Sequence, residues 1–271
     1  MGKLSLYARN SLLNHLFNNS VYNAPATVYV ALCTATVTES DTGSTIAEAN
    51  YVSYNRVPIN FSPANLTNRN ITQLGNSIFP KATGGNITVT DYAVLDSPNP
   101  GTGNLLGFGK LLVPKNIVAD NTPTIRDAEV VISATTIGGF TNYTINQLLN
   151  FMFRNQPYSQ PSLYVGLTTA DVINTDNGTT IVEATGLGYN RVNAPSFSIA
   201  TNATLANTWE INFPVPGVGG WGTVTSLFCS DTITLNTGNV LFFDNDSVID
   251  QAVEEEDIVT IPAGYFVAEL P

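Results

Sequence analysis

The sequence has little charge. Only 11% of its 271 residues are Asp, Glu, Lys or Arg, where an average globular chain carries about 25%. Ten bases against 21 acids leave a net charge of −11. That excludes a nucleic-acid binder, because phosphate contacts need Lys and Arg. There is one histidine, His15, in a helical stretch whose counterpart later in the chain carries Phe151. A Ser-His-Asp or Cys-His mechanism needs a base beside its nucleophile, and a zinc site needs more His and Cys than are present. The two cysteines, Cys33 and Cys229, are too few for a disulfide scaffold. Both lie in apolar runs and read as small buried hydrophobes. No apolar run approaches the roughly 18 residues that span a bilayer. Arg9, Asn10 and His15 interrupt any signal-peptide core after Lys3. The expectation is a soluble protein made in a cytoplasm, with no membrane partner, no metal and no cofactor.

Uncharged Thr, Asn and Ser take the place of the missing charge. They suit β-structure and assembly components, and 13 Phe and 11 Tyr supply enough apolar bulk to exclude a disordered chain. The clearest signal is internal repetition. Tyr54-Asn55-Arg56-Val57 returns as Tyr189-Asn190-Arg191-Val192. Leu12-Leu13-Asn14 returns as Leu148-Leu149-Asn150, Glu48 as Glu183, Phe79-Pro80 as Phe213-Pro214, and Gly103-Asn104-Leu105-Leu106 as Gly238-Asn239-Val240-Leu241. Order is kept and the offset stays at 134 to 136. The chain is therefore read as two tandem copies of one unit, residues 3–134 and 140–271, joined by a linker at 135–139. Each copy is of ordinary domain size and long enough to bury its own core.

Each unit opens with an amphipathic helix. Ile145, Leu148, Leu149, Met152 and Phe153 fall on one helical face, as do Leu12, Leu13, Leu16 and Phe17. Thr144 and Gln147 fit a T-x-x-Q cap at the start of the second. Asn18-Asn19 and Asn155-Gln156-Pro157 stop the two helices. Short strands are then expected at 27–33 and 163–167, around each tetrapeptide, at 78–79 and 211–213, and at 87–95, 105–112, 128–133, 224–229, 240–243 and 265–270, with Gly43 and Gly178 in the turns of the long polar stretches. The fold class is mainly β: two tandem β-sandwich or barrel-like domains, each led by one helix.

Three patterns are candidates for chemistry. Gly217-x-Gly219-x-x-Gly222 matches a dinucleotide fingerprint in letters only, because Pro214 and Pro216 precede it and a strand follows. Asp244, Asp246, Asp250, Glu254, Glu255, Glu256 and Asp257 form the densest acidic run. It lacks the glycine an EF-hand loop requires and reads as an exposed, partner-facing loop. Glu48, Tyr54 and Arg56, repeated as Glu183, Tyr189 and Arg191, read as an architectural set tying the long loop to the sheet, with ligand binding as the alternative. Charge is split unevenly between the units. Residues 1–136 hold eight acids and eight bases, which leaves 13 acids but only Arg154 and Arg191 in the second unit. One unit is neutral and the other carries −11 (2 − 13), as though the first docked on an assembly and the second faced solvent or a basic neighbour.

The stretches "LLNHLF", "PATVYVALCTA", Glu followed by "YNRV", and "GTGNLLGFGKL" resemble a family of bacteriophage tail-fibre-like or minor virion structural proteins. Units of that family have an opening helix, a P-x-x-x-Y-V-x-L strand, Glu followed by Gly-Tyr-x-Arg, a W-G-T-V strand and a G-N-x-L strand. Trp221-Gly222-Thr223-Val224 matches in the second unit, where the first has Asn86-Ile87-Thr88-Val89. The resemblance implies a non-enzymatic virion part that contacts other virion proteins, as a homo-oligomer or in a symmetric lattice. A tail, fibre or baseplate component is the reading adopted. A capsid or neck decoration (cement) protein is the alternative. A carbohydrate-binding receptor module, in which Trp209, Trp221 and tyrosines stack on a cell-surface glycan, is the alternative of another class.

Overall fold

Both apolar stripes of 3.6-residue period are helices in the computed structural model, which describes residues 1–18, 20–134, 139–248 and 250–270. In the first unit β1 (Gly2–Leu4) leads directly into α1 (Leu6–Phe17). In the second, α2 spans Asn142–Arg154. The Ser5 side chain caps α1 by accepting from the Ala8 N–H, and Thr141 caps α2 by accepting from the Thr144 N–H. The T-x-x-Q expectation is thus corrected. Thr144 lies inside the helix, where its hydroxyl donates to the Leu241 carbonyl at 2.8 Å, and the capping residue is Thr141, whose extended backbone turns its oxygen toward the free N–H groups. Asn18 ends α1, and Asn155 ends α2 in the left-handed conformation that Asn tolerates well. Asn19, expected to help stop α1, lies outside the described residues, as do 135–138 of the expected linker. All nine stripe residues are buried, each leucine among them contributing roughly 1.5–3 kcal/mol.

The first unit continues with β2 (Val28–Cys33), β3 (Val57–Ile59), β4 (Asn70–Thr72), β5 (Ser77–Ile78), β6 (Asn86–Leu95), β7 (Leu105–Val118), β8 (Thr124–Ile125) and β9 (Val131–Ser133). Seven of its strands form a sheet curled as a half-barrel, in the order β3-β2-β6-β7-β1-β9-β4, with β5 and β8 as a separate ribbon. The second unit has β10 (Tyr164–Thr168), β11 (Val192–Asn193), β12 (Thr204–Ala206), β13 (Ile211–Asn212), β14 (Gly222–Val224), β15 (Ser226–Ser230), β16 (Val240–Asp244), β17 (Gln251–Val253), β18 (Thr260–Ile261) and β19 (Val267–Glu269). Its pairings repeat those of the first unit: β11-β10-β15-β16, β12 with β19, and β13 with β18. The long β6–β7 hairpin is represented by two ribbons, β15–β16 and β14–β17. The strand is interrupted between β14 and β15 at Thr225, whose N–H turns to the Thr168 carbonyl at 2.9 Å.

The helices do not stay on their own sheets. α1 starts on β7 of its own unit and runs onto the second unit. There Asn14 Oδ1 accepts from the Ala200 N–H at 2.8 Å and Asn18 donates to the Ser198 carbonyl at 2.8 Å. α2 does the converse. Asn150 Oδ1 accepts from the Ala64 N–H at 3.0 Å, and Arg154 donates to the Phe61 carbonyl at 3.2 Å. Phe17 packs on Phe197 with ring centroids 4.9 Å apart, and Phe153 packs on Phe61 at 5.3 Å. Asn14 and Asn150, Ala64 and Ala200, Phe17 and Phe153, and Phe61 and Phe197 are all 136 residues apart. Contacts in which i meets j while j's counterpart meets i's define a twofold relation. Its axis passes by a pair of counterparts that meet each other, His15 stacked on Phe151 at 4.7 Å. As a result the largest hydrophobic cluster runs unbroken through both units, so neither unit keeps its core to itself.

Candidate functional site

The residues that repeat most strictly form the same buried clamp in each unit. In the first, Arg56 donates from Nε and Nη2 to Glu48 at 3.1 and 2.6 Å. Its remaining donors reach the carbonyls of Ser97 at 2.9 Å, Thr102 at 2.8 Å and Gly43 at 3.2 Å. In the second, Arg191 donates to Glu183 at 2.7 and 2.8 Å and to the carbonyls of Thr232 and Thr237 at 2.9 and 3.1 Å. Its guanidinium also lies 5.1 Å from the centre of the Phe228 ring. The carboxylates take a further N–H each, from Gly101 and from Asn236, both at 3.0 Å. One planar cation thus ties the polar loop before the tetrapeptide to the hairpin loop across the sheet.

The tyrosine completes the set. Tyr54 accepts the Leu32 N–H and donates to Glu48 at 3.0 Å. Tyr189 accepts the Leu167 N–H and lies 3.2 Å from Glu183. Burial, then the adjacent glutamate, push both phenols far above their ordinary value. The loops come so close that only glycine fits: a Cβ on Gly43 would lie 1.8 Å from the Thr102 carbonyl oxygen, and one on Gly178 1.9 Å from that of Thr237.

A second repeated device escaped the sequence reading. Asn104 donates from its backbone and side chain to Asp96, both at 2.7 Å, and Asn239 does the same to Asp231 at 2.8 and 2.7 Å. The Gly-Asn repeat was visible, but the aspartates eight residues before it were not read as its partners. The repeated Asn14 and Asn150 tie each helix to the opposite unit, a role with no local signal, because their partners Ala200 and Ala64 lie 186 and 86 residues away.

The remaining candidates occupy ordinary positions. His15 is buried, with Nε2 3.0 Å from the Tyr158 carbonyl. Cys33 and Cys229 are free and buried, and burial pushes the Cys229 thiol up to about 12. The run Gly217–Gly222 is a turn in which Gly219, Gly220 and Gly222 have positive φ. Trp221 is only 3% exposed and donates its indole N–H to the Leu187 carbonyl. Its ring packs in the core against Tyr189 and Phe213, as its strand position suggests, and is not placed to stack on a sugar as the carbohydrate-binding alternative would need. Trp209 is 70% exposed. The acidic run divides into two turns. Asp244 accepts from the Asp246 and Ser247 N–H groups, and Asp257 from that of Glu254. Glu254, Glu255, Glu256, Asp246 and Asp250 are exposed. Among the described residues no group of three His, Cys, Asp or Glu is placed to hold a metal. Among the described residues no helix is long and apolar enough to cross a membrane.

Both units are thus built on the same inward-facing clamps around a helix-exchanged β scaffold, the organisation of a structural protein made by duplication. The profile of the family described as "Podophage GP4 fiber I protein gp80" matches the chain twice, over residues 3–133 and 139–269. The chain belongs to this family of podophage fibre proteins, as two tandem copies of its unit. No curated protein matches it.

Proposed function

We propose that the chain is a non-enzymatic component of the phage fibre, incorporated through protein–protein contacts with other virion proteins. The observation that carries this reading is the use made of the buried polar groups. Arg56, Glu48, Arg191, Glu183 and both tyrosines are consumed in holding loops and one another. A catalytic carboxylate or base needs access to a substrate, whereas the Glu48 and Glu183 side chains are 9 and 1% exposed and each is held by an arginine. The surface is where the two units differ, neutral on one and −11 on the other, which suits a part that presents different faces to different neighbours. Family membership favours the fibre over a capsid or neck decoration site. Antibody to the chain, applied to intact particles, should label fibres. Label spread over the head surface would overturn the placement, and turnover of a substrate by the purified chain would overturn the non-enzymatic reading.

A further inference from the structure

Both units close one turn with the same buried amide staple, and they load that turn differently. In the first, the Gln73 side chain donates to the Gly75 carbonyl at 2.9 Å and accepts the Val130 N–H at 3.2 Å. In the second, the Asn207 side chain donates to the carbonyls of Trp209 at 2.7 Å and Pro262 at 3.0 Å, and accepts the Phe266 N–H at 2.9 Å. Gln73 and Asn207 are both buried. Gln73 and Asn207, Gly75 and Trp209, and Val130 and Phe266 are counterparts, 134 to 136 residues apart. The first unit closes its staple over a glycine, so the fold does not require an indole at this place.

Trp209 is 70% exposed and Tyr265 61%. Asn207 fastens their two turns to each other. It holds the Trp209 carbonyl, and through the Pro262 carbonyl and the Gly264 N–H it holds the turn that carries Tyr265. Directly after the indole comes a row of polar side chains bonded to one another. Asn212 Nδ2 donates to Glu210 at 2.9 Å, and the Thr260 hydroxyl donates to Asn212 Oδ1 at 2.7 Å, across the β13–β18 ribbon. Glu210 and Asn212 are exposed. These bonds fix which way the Asn212 amide points. The row still offers a donor, the second Asn212 N–H, and acceptors, the other Glu210 oxygen and the Thr260 oxygen.

We infer that this end of the second unit binds a neutral saccharide, with the Trp209 ring stacked on the C–H face of a pyranose and the Glu210-Asn212-Thr260 row bonding its hydroxyls. A pyranose is apolar on its face and carries at its edge hydroxyls that both donate and accept. The site offers the complement, an aromatic face followed by a donor and acceptors held in a fixed order. A wholly apolar partner would cover the row and leave its uncommitted polar atoms unpaired. The sugar is neutral because Glu210 is next to the indole and the unit carries −11, which repels glycans bearing carboxylate or phosphate. The first unit lacks the site. Gly75 stands in place of Trp209, and the counterpart of Tyr265 is Glu129, which is paired with Lys115 at 3.0 Å. The inference adds a ligand to the assembly role and does not rest on it.

The test is retention of the full chain on an array of neutral and acidic glycans, followed by titration with the sugars retained. Neutral pyranose glycans should be held and acidic ones refused. Bound sugar should shield the protein from acrylamide quenching, because Trp209 is the exposed indole and Trp221 is buried. Trp209→Ala should weaken binding at least about tenfold, and Asn212→Ala about threefold or more. Both positions are exposed, and Trp221 fluorescence checks that the fold is kept. A library of proline-rich peptides, run beside the array, covers the other chemistry that exposed aromatics recognise. Retention of no neutral glycan, preference for acidic ones, binding indifferent to Trp209→Ala, or capture through Trp209 of a peptide and no sugar would each overturn the inference. Labelling of fibres by antibody in that event would leave the proposed function standing.

Discussion

If α1 belongs energetically to the second unit, damage to it must be felt there. Phe17 lies in the first unit by sequence, but its ring touches Phe140, Phe197 and Phe242 of the second at 6.2, 4.9 and 6.1 Å. It is 7% exposed. Truncating so buried an aromatic costs about 3–5 kcal/mol, and the three partner rings place Phe17→Ala toward the top of that range. Phe153→Ala removes a ring with one aromatic partner, Phe61, and should fall toward the bottom. For a chain of this size the larger loss lowers the melting temperature by roughly 6–20 °C. Both tryptophans, Trp209 and Trp221, are in the second unit, so intrinsic fluorescence during thermal unfolding reports that unit alone. The expected result is a lower fluorescence midpoint for Phe17→Ala, coincident with the far-UV circular dichroism midpoint. A fluorescence midpoint equal to wild type, with only the dichroism shifted, would refute the exchanged packing.

Three further outcomes follow from named groups. Glu183→Ala strands the Arg191 guanidinium, whose side chain is wholly buried, and should cost about 3–5 kcal/mol by denaturant unfolding; a loss below that of an exposed ion pair would show that water reaches the clamp. Cys33 and Cys229 should resist alkylation near neutral pH until the chain unfolds, because burial raises both thiols, and rapid labelling of native protein would contradict their placement. Burial of Asp41 alone would raise its carboxyl, but hydrogen bonds from the Thr38 N–H, the Thr38 hydroxyl and the Thr45 hydroxyl outweigh it and hold the group below its usual value. A depressed acid stabilises the fold above its unfolded value and loses that contribution as pH falls through the folded one, so the stability gap between wild type and Asp41→Asn should close on acidification; a gap that widens would reverse the sign.

What the sequence revealed was whatever repeats or is periodic. The offset of 134 to 136 located both units, because the same residues recur in the same order, and the stripes located both helices, because each is a periodic pattern complete within its own segment. The Glu-Tyr-Arg set was visible for the same reason: it occurs twice, within nine residues. Gly2–Leu4 gave no signal as a strand, since three residues have no period and its partners are β7 and β9, more than a hundred residues away. The helix exchange was hidden for a related cause. An amphipathic face shows that a helix is covered, and the identity of its cover is set by tertiary packing. Trp221 illustrates the converse, a residue whose type suits a glycan platform and whose position in the core is decided by Tyr189 and Phe213.

The central claim, that two fibre repeats fold as one twofold body with exchanged helices, is tested most directly by cutting the chain between them. A specific protease site placed within residues 135–138 allows cleavage after folding. The account predicts that the two fragments elute together and unfold in one transition, with the fluorescence of the second unit and the total dichroism lost at the same denaturant concentration. Fragments that separate under native conditions, or two independent transitions, would contradict it.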